Sequence, residues 1–156
     1  MNMDYNKKPA MENEYAEILL VDDNLSDAEM TIRALRKNNI VHTILHLKDG
    51  VEALDYLLGQ GEYAGRDITL TPKITLLDLR MPRIDGIEVL TKIKQTDAIK
   101  HIPIVVLTSS NVDPNLEICM GLGAASFIVK PVNLPGFVKA LAAIKMHWPT
   151  VDNTKP

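Results

Sequence analysis

The sequence predicts a doubly wound α/β fold, one five-stranded parallel sheet carried between five helices. Two observations lead there. Five short apolar runs recur along the chain without the polar alternation of a half-wetted strand, as strands covered on both faces require. Each run is followed by a segment with apolar residues at helical spacing. That strand–helix order closes as a parallel sheet, because right-handed crossovers place helices on both faces.

The elements follow in order. Residues 1–15 are polar, contain Pro9 and lack a hydrophobic period, so they are expected to form a flexible tail before a single domain over 16–148; residues 149–156 form a second short tail. Ile18-Leu19-Leu20-Val21 is the first strand, ended abruptly by Asp22-Asp23-Asn24. A helix from about Ser26 has Ala28, Ile32 and Leu35 on its dry face, and Arg33, Arg36 and Lys37 on its wet one. Thr43 to Leu47 is the second strand. Asp49-Gly50-Val51-Glu52 then has the form of a capping box opening a helix with Ala53, Leu54, Leu57 and Leu58.

Gly59 to Pro72, with three glycines and a proline, reads as an exposed loop of unusual length. Ile74-Thr75-Leu76-Leu77 is the third strand and ends at Asp78; after the turn from Met81-Pro82 to Asp85-Gly86, a helix aligns Ile87, Leu90 and Ile93. Ile104-Val105-Val106-Leu107 is the fourth strand, rich in β-branched residues, and ends at Thr108. Asp113-Pro114 reads as an N-cap followed by proline at the first helical position, in a helix stopping near Gly121 or Gly123. Phe127-Ile128-Val129 is the fifth strand, ended by Lys130-Pro131. Asn133 caps a last helix with Phe137, Leu141, Ile144 and Trp148 on one stripe, stopped by Pro149.

Composition removes several functional classes. A length of 156 residues suits one compact domain, and a net charge of −3 without a Lys/Arg cluster argues against nucleic acid as a partner. The single Cys119 excludes a disulfide framework or a multi-cysteine zinc site; among Leu116, Ile118, Met120 and Leu122 it reads as a buried apolar filler. The N-terminus lacks the apolar stretch of a signal peptide and no apolar run is long enough to span a membrane, so a cytoplasmic protein without membrane contact is expected. His42, His46, His101 and His147 lack metal-ligand spacing, and Gly121-Leu122-Gly123-Ala124 precedes a strand where a dinucleotide loop would follow one.

Ligands of open parallel sheets bind beyond the carboxyl ends of the strands. The residues there are Asp22 and Asp23, Asp78, Thr108 and Lys130, with Lys48 and Asp49 toward a sheet edge. Carboxylates meeting at one rim repel one another unless a cation joins them, and hard oxygen ligands suit Mg²⁺ or Mn²⁺. A nucleophilic carboxylate, a divalent metal, an ammonium and a hydroxyl together suffice for phosphoryl transfer. Taken singly, these residues have blander explanations. Asp22 or Asp23 could cap the first helix, Asp78 could start a turn, Thr108 could be an ordinary strand-end hydroxyl and Lys130 a solvated lysine.

Leu20-Val21-Asp22-Asp23-Asn24, Leu76-Leu77-Asp78 through Asp85-Gly86, Val106-Leu107-Thr108-Ser109 and Val129-Lys130-Pro131 resemble the signature segments of response-regulator receiver domains, over about Glu17 to Trp148. The resemblance implies a flavodoxin-like fold and a stand-alone regulator in a two-component phosphorelay. Asp78 would accept a phosphoryl group from a sensor histidine kinase. Mg²⁺ would be held by Asp23, Asp78 and the backbone carbonyl of Arg80, with Asp22 acting directly or through water. Thr108 and Lys130 would contact the phosphoryl group, the Lys130–Pro131 bond would be cis, and Phe127, partly core, would be the switch aromatic. Arg80 could reach over the pocket or lie flat on the surface. Gly61-Glu62-Tyr63, the Asp49 helix start and the Phe137 to His147-Trp148 ending also resemble small regulators partnered with bacterial phytochromes, which implies a phytochrome-type kinase and a homodimer.

Two rivals bear weighing. A phosphatase or phosphotransferase with an aspartyl nucleophile commonly needs a second acid two places on, where this chain has Arg80. A binding module that is never phosphorylated would not need the five polar strand-end residues together.

Overall fold

The computed structural model describes residues 15–38, 40 and 43–144. The strands are β1 (Ile18–Val21), β2 (Ile44–Leu47), β3 (Ile74–Asp78), β4 (Ile104–Thr108) and β5 (Ser126–Val129). The helices are α1 (Leu25–Lys37), α2 (Gly50–Leu58), α3 (Gly86–Lys94), α4 (Asn115–Gly121) and α5 (Leu134–Ala143), with a 3₁₀ turn over Gly61–Tyr63. All strands are parallel, in the order β2-β1-β3-β4-β5. The doubly wound fold is as the sequence predicts, with β2 at an edge. His42, His147, Trp148, Pro149 and both expected tails, apart from Tyr15, lie outside the described residues.

Alternate side chains of a strand face opposite ways, and here they feed two cores. Leu19, Val21, Leu77, Ile104 and Val106 pack with residues of α2, α3 and α4, among them Tyr56, Leu57, Val89, Leu90 and Cys119. Ile18, Leu20, Ile74, Leu76, Val105, Leu107 and Ile128 pack on the other face with Ala28 and Leu35 of α1 and Phe137 and Leu141 of α5. β1, β3 and β4 are buried along their whole length, which is why their sequences run apolar without interruption.

Helix starts show local chemistry. Asn24 caps α1, its Oδ1 accepting the Asp27 N–H at 2.9 Å. Asp49 caps α2 as expected, but Glu52 accepts from the Lys48 N–H at 3.1 Å, one residue before the position a capping box uses. The reciprocal box is at α3, between Asp85 and Glu88. The cap of α4 is Pro114, one residue later than predicted, and Asp113 instead accepts the Asn115 N–H at 2.9 Å.

The long connection after α2 is exposed over most of its length, as expected, but side chains within it turn inward. Gly59 ends α2 in the left-handed region (φ 66°), which favours glycine. Tyr63 and Arg66 beyond it are buried. The Arg66 guanidinium stacks 4.0 Å above the Tyr56 ring; its Nε donates to the Tyr56 carbonyl at 2.7 Å and its Nη1 to the Leu70 carbonyl at 3.0 Å. One side chain thereby ties the later part of the connection, at Leu70, to α2. The planar fork and the ring stacking are properties lysine lacks. Arg66→Ala is therefore expected to lower unfolding free energy by about 2–4 kcal/mol in urea titrations, with Arg66→Lys recovering less than half.

Candidate functional site

Register aligns the strand tips. Val21 pairs with Leu77, Asp78 with Leu107, and Thr108 with Val129, so Asp22 and Lys130 fall one residue past the sheet on either side of Asp78. The alternation that sends Leu20, Leu76 and Ile128 into the α1/α5 layer brings Asp22, Asp78 and Lys130, each two residues later, back toward that layer. Gly86 closes the other side. A Cβ there would lie 2.5 Å from the Asp78 carbonyl oxygen, so only glycine lets α3 start this close to β3.

The result is a small acidic cleft of about 200 Å³, whose lining includes Asp23, Asp27, Asp78, Arg80, Thr108 and Lys130. Asp22, Asp23 and Asp78 each offer a carboxylate oxygen within 4.8 Å of the others. Asp22 and Asp78 are buried, whereas Asp23 is exposed. Lys130 Nζ lies 3.2 Å from Asp78 Oδ2, 3.4 Å from Asp22 Oδ2 and 3.1 Å from Asp27 Oδ2. The N–H of Asn24 donates to Asp22 Oδ1 at 3.0 Å and that of Arg80 to Asp78 Oδ1 at 3.3 Å. Since Asn24 caps α1, capping does not account for Asp22 or Asp23.

Burial, opposed by Lys130 and the Arg80 N–H and reinforced by the neighbouring Asp22 carboxylate, leaves the Asp78 carboxyl raised to about 6. For Lys130, burial works toward a lower pKa, but Asp78, Asp27 and Asp22 outweigh it and raise the ammonium above its ordinary value. Asp22 Oδ2 is buried without a hydrogen bond, its compensation being the ion pair with Lys130. An unsatisfied buried carboxylate oxygen within an all-oxygen, net-negative donor set is the environment that a hard divalent cation fits.

Other predicted residues take definite places. The buried Thr108 hydroxyl lines the cleft but donates to the Ser110 carbonyl at 3.0 Å, within its own loop. The Lys130–Pro131 bond is cis. Phe127 is 38% exposed and belongs to neither core, because the edge strand β5 turns it outward, contrary to a partly core position. Arg80 does not lie flat: its Nη2 spans to Asp113 Oδ2 at 2.8 Å, bridging the β3–α3 and β4–α4 loops. Asp113 is held below the usual carboxylate range by the Asn115 N–H, with Arg80 adding to the effect.

Sequence reasoning missed Asp27. In the first turn of α1 it looks like an ordinary helix-start acid. The available signal was its position on the helix covering the face to which Asp22, Asp78 and Lys130 return.

Residues 18–142 match the family model of the response regulator receiver domain. The chain is 39% identical over 132 residues to a probable methanogenesis regulatory protein, FilR2, of Methanothrix harundinacea, covering 84% of this chain and 82% of that one. It is 36% identical over 131 residues to response regulator Rcp1 of a Synechocystis species, covering 84% and 87%. The structure of the Mn²⁺-bound form of Rcp1 superposes with a TM-score of 0.70 at 32% identity, over 86% and 99% of the chains. That of the bacteriophytochrome response regulator AtBRR gives 0.79 at 40% identity, over 88% and 98%.

The raised Asp78 carboxyl has a stability consequence. Its proton is held more tightly in the folded than in the unfolded chain, so its contribution is complete below about pH 4 and is lost as pH rises through about 6. Without metal, Asp78→Asn should therefore be more stable than the wild type at pH 7 by on the order of 2–3 kcal/mol. The gap should close toward pH 4 when urea midpoints are compared.

Proposed function

This chain belongs to the response regulator receiver domain family, and from that premise we propose that it is a phosphoacceptor that takes a phosphoryl group from a histidine kinase on Asp78. The observation that carries this reading is the convergence of Asp22, Asp23 and Asp78 within 4.8 Å, with Lys130 Nζ 3.2 Å from Asp78. In the transfer, an Asp78 carboxylate oxygen attacks the phosphorus. The P–N bond to the kinase histidine breaks and its electron pair returns to the imidazole nitrogen, leaving an acyl phosphate on Asp78. Asp78 acts as nucleophile in its ionised form.

Mg²⁺ is the cation we assign to the cleft, held by Asp23, Asp78 and the Arg80 backbone carbonyl, with Asp22 direct or through water. When bound, it supplies positive charge to offset the carboxylates and the phosphoryl oxygens. Support comes from the all-oxygen donor set and from the Mn²⁺ held by the similar Rcp1, since Mn²⁺ and Mg²⁺ share hard-ligand preferences. Lys130 pairs with the phosphoryl oxygens as a fixed cation. The Thr108 hydroxyl exchanges the Ser110 carbonyl for a charged acceptor, a stronger partner. Phe127 follows by turning from its exposed position into the space Thr108 leaves, and the surface around α4, β5 and α5 changes with it.

The kinase partner we propose is of phytochrome type, in line with the likeness to AtBRR, and the output is protein–protein contact, homodimerisation included, in the cytoplasm. Among the described residues, no helix is long and apolar enough to cross a membrane. This reading makes the protein a reactant that assists its own phosphorylation and dephosphorylation, not an enzyme turning over a foreign substrate.

Acetyl phosphate with Mg²⁺ should add one phosphoryl group to the wild type by mass spectrometry and none to Asp78→Asn; labelling of that variant would refute the assignment. Mg²⁺ affinity in calorimetry should fall as pH drops below about 6, approaching tenfold per unit, because a protonated Asp78 must release its proton to bind.

A further inference from the structure

Lys130 is contacted from two sides. Asp22 and Asp78 approach from the strand tips, and Asp27 approaches from the first turn of α1, its Oδ2 accepting a hydrogen bond from Nζ at 3.1 Å. That is the shortest of the three carboxylate contacts, and the Lys130 side chain is only 16% exposed. Asp27 is not part of the three-carboxylate cluster that fits a cation. Its carboxylate is also free of capping duty, since Asn24 caps the helix by accepting the Asp27 backbone N–H. An ammonium has three N–H donors. The three carboxylates match that number, and two of them, Asp22 and Asp78, belong to the cluster that fits a cation, while Asp27 lines the cleft beside Lys130.

We propose that Asp27 is a positioning residue for phosphoryl transfer, anchoring the Lys130 ammonium at the wall of the cleft while Asp22 and Asp78 are engaged by the cation and the phosphoryl group. The inference rests on the phosphoacceptor reading above. A lysine carries its charge on a flexible four-carbon stem, and confining it beforehand spares the ordering that transfer would otherwise require. α1 is well placed to supply such an anchor, because it packs on the face toward which Asp22, Asp78 and Lys130 point.

Two measurements test this. In the metal-free protein, the side-chain ammonium resonance of Lys130, assigned by its loss in Lys130→Ala, should exchange slowly with water. In Asp27→Asn it should shift and exchange faster. An unchanged Lys130 signal in Asp27→Asn overturns the proposal. In acetyl phosphate labelling, Asp27→Asn should slow the reaction about three- to tenfold, the rate equivalent of one partly exposed charge-assisted hydrogen bond. The same substitution made in Lys130→Ala should have no further effect, since an anchor without its ammonium has nothing to hold. Equal slowing in both backgrounds, or wild-type labelling by Asp27→Asn, overturns the role. No labelling of the wild type would instead overturn the phosphoacceptor reading, and the role with it.

Discussion

One ammonium facing three carboxylates is the constraint around which this molecule is arranged. Asp22, Asp27 and Asp78 all lie within 3.4 Å of Lys130 Nζ, and exposed Asp23 adds a fourth negative charge at the rim. No isolated segment of chain would gather these groups, because their mutual repulsion opposes it. They are together because each ends a strand, or starts a helix, whose position is decided elsewhere.

That elsewhere is the pair of apolar layers on the two faces of the sheet. Full burial of a single leucine, isoleucine or valine contributes roughly 1.5–3 kcal/mol, so one or two such residues offset the strain of one crowded carboxylate. β1, β3 and β4 supply many, fully buried on both faces. The parallel register then converts apolar packing into polar placement: with Val21 beside Leu77 and Thr108 beside Val129, the polar residues ending each strand have nowhere to go except the common cleft. Gly86 completes the enclosure by letting α3 begin against the Asp78 carbonyl.

This logic explains what was legible in the sequence. An apolar run ended by a charge identifies both a strand and its tip, so Asp22, Asp78, Thr108 and Lys130 could be placed together before any coordinates. Features that depend on how one layer sits laterally on another could not be. Asp27 is one, since only the seat of α1 on the sheet brings it to Lys130. Arg66 is another: a charged residue in a glycine-rich stretch reads as solvated, and its burial against Tyr56 follows from the path of the chain back to α2. Phe127 was misjudged as partly core because an aromatic in a strand usually buries its ring, whereas β5 has a free edge. The cap of α4 moved by one residue because an Asx-type bond from Asp113 to the Asn115 N–H competes with helical capping.

The clamp made by Arg66 differs in kind from the ammonium cluster across the molecule. Its hydrogen bonds go to main-chain carbonyls and its stacking partner is a ring, so no acid in those contacts can be neutralised by protonation. Guanidinium itself keeps its proton throughout the range where proteins survive. The hold of Arg66 on these carbonyls and on the ring therefore needs no ionised acid, and the neighbouring Asp67 carboxylate serves the turn at Thr69 instead. The far part of the connection, at Leu70, is thereby braced against α2 through one side chain, so cutting the chain at exposed Gly61 or Gly65 would still leave that brace between Tyr56 and Leu70 in place.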